Sequence, residues 1–147
     1  MSDPRTFACN SLAAKAQSVA EIEAKLAARG VGPDEAEAVV AAAMRLGYLD
    51  DAELADQLAR GMRSRAYGRR RAARTLRQRR LPAALADAAL EHAYRWADED
   101  ALALSALGAR AVDDDASRRR AASFLVRRGF SAGAAWRAIE SARSRSP

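Results

Sequence analysis

One pattern recurs three times along this chain, and each copy stops a helix in the same way. The copies are SVAEIEAKLAARGVGPDEAEAVVAAA, GRRRAARTLRQRRLPAALADAALEHA and ASRRRAASFLVRRGFSAGAAWRAIESA. In each, an apolar-periodic run closes on Leu-x-x-Arg, then Gly or Arg, then an apolar residue. A short turn and a second helical run follow. The matching leucines are Leu26, Leu76 and Leu125, spaced 50 and 49 residues apart. That period is the spacing of a repeat array. Similar composition among Ala- and Arg-rich helices would not by itself align the turns as well.

Boundary signals define the units. Ser18 and Glu21 have capping-box spacing. Gly30 and Gly129 follow helical runs, where a left-handed residue prefers Gly. Pro33 and Pro82 suit the first turn of the next helix, and Ser131 can cap the last one. A further helix stands in front of each copy, at about 5–16, 51–66 and 98–111. Ala, Leu, Arg, Glu and Gln dominate, and four prolines and eight glycines interrupt little. The expectation is an all-α protein of nine helices, arranged as three tandem three-helix repeats in an elongated, curved array. The repeats are expected at 1–48, 49–96 and 97–147.

Charge is distributed in blocks. Residues 1–59 carry net −5, residues 60–80 +10, residues 81–117 −6 and residues 118–147 +7. The block RGMRSRAYGRRRAARTLRQRR holds ten arginines and no acid. Of 25 basic residues 23 are Arg, which suits bidentate phosphate or carboxylate contacts and is also what a GC-rich genome encodes. Genome composition does not explain the clustering. Three readings compete for it: phosphate binding, a solvated face whose arginines pair with acids of neighbouring helices, and docking on an acidic protein.

The second unit opens with LGYLDDAEL. Gly47 can end the preceding helix, Asp50 can cap the next, and Glu53 takes its third position. Leu54, Ala55, Leu58, Ala59, Met62 and Ala66 then recur at helical spacing and face a core. Ala72, Ala73 and Leu76 continue it. Arginines 69, 70, 71, 74, 77, 79 and 80 take the remaining surface. Arg69, Arg70 and Arg71 open a helix, where free N–H groups already carry partial positive charge, so an anion is favoured there. Arg118, Arg119 and Arg120 recur in the third unit, where Asp113, Asp114 and Asp115 can neutralise them. The second unit is therefore expected to be the more anion-seeking.

Little points to catalysis. His92 is the only histidine and Cys9 the only cysteine, so neither a zinc set nor a disulfide framework is expected, and no P-loop occurs. No cofactor is expected. Asp50 and Asp51, and Asp113–Asp115, read better as caps and surface charge than as paired catalytic carboxylates. Tyr48 and Tyr67 could stack on bases, but packing between repeats is the favoured reading. Trp96 and Trp136 are expected as core anchors, and Phe124, Leu125 and Phe130 as core. Cys9 is expected to be small and at least partly buried. The N-terminal stretch lacks a basic region followed by an apolar one, and no run approaches 18 apolar residues, so a cytoplasmic protein off the membrane is expected.

The stretch LGYLDDAELADQLARGMRSRAYGRRRAARTLRQRRL resembles the central motif of the RecX family, regulators of the RecA recombinase. The resemblance rests on Leu46-Gly47-Tyr48-Leu49-Asp50-Asp51, arginines near the end of the next helix, Tyr67-Gly68, and a basic helix containing Leu76. It covers about 36 residues, and the threefold repeat extends it more weakly over most of the chain. Leu54 stands near a position that is usually aromatic in the family. Arg80 stands where Gly commonly ends the basic helix, as Gly30 and Gly129 do in the flanking units. The resemblance implies a non-enzymatic modulator that lies in the groove of the RecA filament on single-stranded DNA. Such a protein inhibits RecA's ATPase, strand exchange and filament growth, in the control of recombination, repair and the SOS response. The residues expected to contact nucleic acid or the filament, from the basic blocks, are Arg60, Arg63, Arg65, Tyr67, Arg69, Arg70, Arg71, Arg74, Arg77, Arg118, Arg119 and Arg120, with RecA, single-stranded DNA and also double-stranded DNA as expected partners of a monomer. The alternatives are a helical-repeat protein acting on DNA without RecA, and a protein-only adaptor.

Overall fold

The computed structural model describes residues 3–145. Among them are nine α-helices and no strand. They are α1 (Pro4–Ala14), α2 (Val19–Ala28), α3 (Pro33–Arg45), α4 (Asp51–Ser64), α5 (Arg69–Gln78), α6 (Ala83–Tyr94), α7 (Glu99–Leu107), α8 (Asp115–Arg127) and α9 (Ala132–Arg145). Each helix packs chiefly on the other two of its own triplet, so the chain folds as three tandem three-helix units.

The repeated motif has a single physical meaning at all three sites. Leu26, Leu76 and Leu125 accept backbone hydrogen bonds from Val31, Leu81 and Phe130, at 3.1, 3.4 and 3.1 Å. The intervening residues, Gly30, Arg80 and Gly129, take φ of +79°, +55° and +105°. This is a Schellman stop, in which a left-handed residue turns the chain and two apolar side chains close over the turn. All three leucines are fully buried. The arginine of the motif is the C-cap of α2, α5 and α8 in turn. Starts vary more: α3, α5 and α6 have no side-chain cap, whereas others are capped as the sequence suggests. Ser18 and Glu21 form their reciprocal box, Asp50 accepts from Glu53 N at 3.1 Å, and Ser131 accepts from Ala134 N at 3.2 Å.

Each unit has its own core. Ala55, Ala59, Ala72, Ala103, Ala134 and Ala135 are fully buried, so the helices approach over small side chains, and Phe130 is the largest fully enclosed residue. Leu102 packs against the cores of both the second and third units.

Several sequence expectations need correction. Trp96 is 87% exposed and Trp136 44% exposed, so neither anchors a core. Tyr94 already fills the last inward position of α6, and Trp96 falls beyond the helix end. On α9 the inward face is Ala134, Ala135, Ala138 and Ile139, which turns Trp136 outward. Tyr48 is 56% exposed, because the neighbouring Leu49 takes the inward place. Cys9 is exposed beside buried Ala8. The third front helix stops at Leu107 rather than near 111, because Gly108 adopts φ +56°. Pro82 is the N-cap of α6 rather than a residue of its first turn.

Candidate nucleic-acid interface

In the second and third units the C-cap arginine reaches back towards the unit before it. Arg79 donates from Nε and Nη2 to the Glu21 carboxylate, at 3.0 and 3.1 Å, and from Nη2 to the Ala16 carbonyl at 2.7 Å. It is therefore not one of the free outward arginines, as the sequence suggested. Arg128 donates from Nε to the Ala66 carbonyl at 2.9 Å and from Nη2 to the Arg65 carbonyl. Ala16 lies just past α1, and Arg65 and Ala66 just past α4, where helix carbonyls lack partners and carry partial negative charge. Arg29, in the first unit, lies over the Phe7 ring of that same unit, 4.1 Å from the centroid.

The N-terminus of α5 meets the C-terminal end of α8. Gly68 N donates to the Arg128 carbonyl at 2.9 Å, and Arg71 Nη1 donates to the Arg127 carbonyl at 3.4 Å. The positive end of one helix thus faces the carbonyls of another, where the sequence had pointed to an anion. The approach requires glycine on both sides. A Cβ on Gly68 would fall on the Gly129 carbonyl, and one on Gly129 would lie 2.5 Å from Arg71 Cβ.

A ladder of guanidinium groups and rings crosses this junction. Arg110 lies 3.6 Å from the Phe124 centroid, and Arg128 lies 5.7 Å from Phe124 and 3.9 Å from Tyr67. Arg65 and Arg71 complete the surround of Tyr67 at 5.7 and 6.0 Å. Tyr67 therefore packs between units, as expected, and its ring is covered by cations rather than open to a base. Its carbonyl accepts from the Tyr94 hydroxyl at 2.9 Å. Burial pushes the Tyr94 phenol up to about 12, against the opposing pull of Arg63 and Arg69 nearby.

The remaining arginines divide by partner. Arg60 lies 3.9 Å from Glu53, and Arg69 lies 3.5 Å from Glu91, which also meets Arg95 at 3.7 Å. The second unit therefore does have an acid beside Arg69, contrary to the sequence reading. Arg63, Arg70, Arg74 and Arg77 are exposed and form no ion pair among the described residues. In the third unit Arg118 pairs with Asp115 at 2.7 Å, while Asp114 caps α8 through Ser117 N at 2.7 Å. Hydrogen bonds from Ser117, with Arg120 and Arg118 nearby, hold the Asp114 carboxyl below its ordinary range. Arg119 and Arg120 are exposed without an ion-pair partner among the described residues. The structure thus gathers Arg65, Tyr67 and Arg71 at the junction, sets Arg63, Arg70, Arg74 and Arg77 on the outer faces of α4 and α5, and keeps Arg118–Arg120 apart on α8. Sequence reasoning missed Arg110, Phe124, Arg127 and Arg128 as members of this surface. Arg128 stood in the repeated motif, which was the signal available.

A pocket of about 390 Å³ lies at the same junction, between Gly68, Arg69 and Arg70 on one side and Leu102, Phe130 and Ser131 on the other. Among the described residues, no three His, Cys, Asp or Glu side chains stand close enough to hold a metal, and no helix is long and apolar enough to cross a membrane.

Comparison with known proteins bears on this arrangement. A family model described as RecX, first three-helix domain, matches residues 5–41, and one described as RecX, second three-helix domain, matches residues 50–90. The chain is 36% identical to the regulatory protein RecX of Thermus thermophilus, over 92% of both chains. It is 35% identical to that of Deinococcus radiodurans, over 90% of this chain and 65% of the longer relative. The crystal structure of RecX from Lactobacillus salivarius superposes with a TM-score of 0.75, covering 96% of this chain and 95% of that one, at 17% identity. That last likeness concerns the fold.

Proposed function

Since the chain belongs to the RecX family, whose members carry the name of regulatory proteins, we propose that it binds the RecA filament on single-stranded DNA and restrains it. It acts as a monomer, in the cytoplasm, without catalysis or a cofactor of its own, and lowers RecA's ATPase, strand exchange and filament growth. The observation that carries this reading is the outer face of α4 and α5, where Arg63, Arg70, Arg74 and Arg77 project without carboxylate partners among the described residues. Arg70, Arg74 and Arg77 recur on one side of α5, and unpaired guanidinium groups so spaced are matched by phosphates, whose neutralisation releases counterions. The less basic first unit is left to meet protein.

The test is RecA's DNA-dependent ATPase titrated with this protein at two salt concentrations. Inhibition well below one copy per RecA subunit supports action on filament growth. Changing Arg63, Arg70, Arg74 and Arg77 together to Ala should abolish the inhibition with the helical signal intact. Salt-sensitive binding to bare DNA, with no inhibition, would favour a protein acting on DNA without RecA.

A further inference from the structure

We infer that α8 carries a second phosphate track, formed by Arg110, Arg119, Arg120 and Arg127 around Phe124, and that a nucleic-acid strand held on the α4–α5 face continues onto it. The inference rests on the nucleic-acid part of the reading above.

Three depressions along α8 share lining residues and are free of acids. One depression is lined by Arg110, Arg119, Arg120, Ser123, Phe124 and Arg127. It shares Arg110 and Arg120 with a second, and Ser123 and Arg127 with a third, and no carboxylate lines any of them. Asp115 is taken by Arg118, and Asp114, though near Arg120, is tied as the cap of α8. Among the described residues none of the four arginines forms an ion pair. Arg110 lies against the face of Phe124 at 3.6 Å, so packing holds its charge over the groove before any ligand arrives.

Spacing argues for a polymer. Positions 120, 123, 124 and 127 share one face of the helix, and two turns separate Arg120 from Arg127, roughly 10 Å. That span exceeds one phosphate and suits a succession of them. A protein partner would call for an apolar patch at the centre. Here the first depression is floored by one ring already covered by a guanidinium and by a serine, the third adds only Ala122 and a half-exposed Val126, and polar, strongly positive surfaces are those that meet nucleic acid. The track also has somewhere to go. Phe124 leads through Arg128 to Tyr67, Arg65 and Arg71, at the start of the α5 face.

The experiment uses the full chain, fluorescein-labelled oligo(dT) and no recombinase. Arg119→Ala with Arg127→Ala leaves the junction in place, since only the Arg127 carbonyl serves there. We expect weaker binding of a long oligonucleotide, with the slope of log affinity against log salt reduced by about 0.7 for each phosphate that is no longer neutralised. The corresponding Arg→Lys pair should keep that slope, and circular dichroism should show both variants folded. An unchanged slope in the Ala pair, alongside loss of binding in the α4–α5 variant, overturns the second track. Unchanged oligonucleotide binding with weakened filament binding also overturns it, and assigns the surface to protein. Because RecA is absent, the track can stand even where inhibition of the filament fails.

Discussion

Between the first and second units, Arg79 ends on a carboxylate, Glu21; between the second and third, Arg128 ends on two bare carbonyls and lies against the Tyr67 ring. The two arginines hold the same place in the repeat and reach the same place in the preceding unit. At the first junction the charge is cancelled by a neighbour of opposite sign. At the second it is held only by dipoles and a ring face, and stays positive as seen from outside. Nearby stand Arg65, Arg71 and the N-terminus of α5. A repeat can thus keep the strut that joins its units while the arginine is paired with a carboxylate at one junction and has no carboxylate partner at the next.

The sharpest way to break the comparison is at the glycines. Gly68→Ala sets a methyl group into the Gly129 backbone and should cost about 3 kcal/mol, seen in denaturant unfolding as loosening of the third unit. Gly30→Ala, at the matching turn of the first unit, meets no atom within 4 Å and carries only the strain of φ +79°, about 1 kcal/mol. Equal costs for the two would mean that the close approach of α5 and α8 is not a structural requirement.

Next come the struts themselves. Arg128→Ala removes two charged hydrogen bonds and a cation–ring interaction and should cost about 2 kcal/mol, with little dependence on salt. Arg79→Ala should cost about 1 kcal/mol, since its partly exposed pair is screened, and that cost should shrink as salt rises. Acid separates the junctions again. Burial works to raise the Glu21 carboxyl, but hydrogen bonds from Arg79 and Ser18 outweigh it and hold the group below 4.5. Its contribution is therefore complete above about pH 4.5 and is lost as pH falls through the lowered folded value. The stability difference between the wild type and Glu21→Gln should narrow on acidification, while that between the wild type and Arg128→Ala should not follow it.

The units were legible because the stop signal is local. Leu26, Leu76 and Leu125 with their following turns are written in six consecutive residues each, and the caps at Ser18, Asp50 and Ser131 are equally short-range. What the sequence hid is the packing of one unit on another. Nothing adjacent to Arg79 names Glu21, 58 residues away, and nothing adjacent to Gly68 names Gly129. The acids that decide which arginines stay free, Glu91 for Arg69 and Asp115 for Arg118, are separated from them by a helix in one case and by one turn in the other. Only the second was read correctly. The tryptophans misled because size suggests burial, whereas Trp96 falls beyond the end of α6, after Tyr94 has taken the last inward place, and Trp136 lies off the inward face formed by Ala134, Ala135, Ala138 and Ile139.

Arg80 tests the comparison most gently. It holds the left-handed position of the α5 stop, with φ +55°, where the outer units use Gly30 and Gly129. An L-residue there costs about 1–2 kcal/mol, offset in part by the greater freedom that glycine has in the unfolded chain. Arg80→Gly should therefore stabilise the second unit slightly, by roughly 0.5 kcal/mol, raising Tm by about 1–2 °C. Arg80 is exposed and lies one residue past the Arg79 strut. If its charge is kept for phosphate, the same variant should lose affinity for oligo(dT) and show a shallower salt dependence while melting later. A variant that melts later and binds unchanged would place the anion-seeking surface entirely on the far side of α5, towards the Arg128 junction.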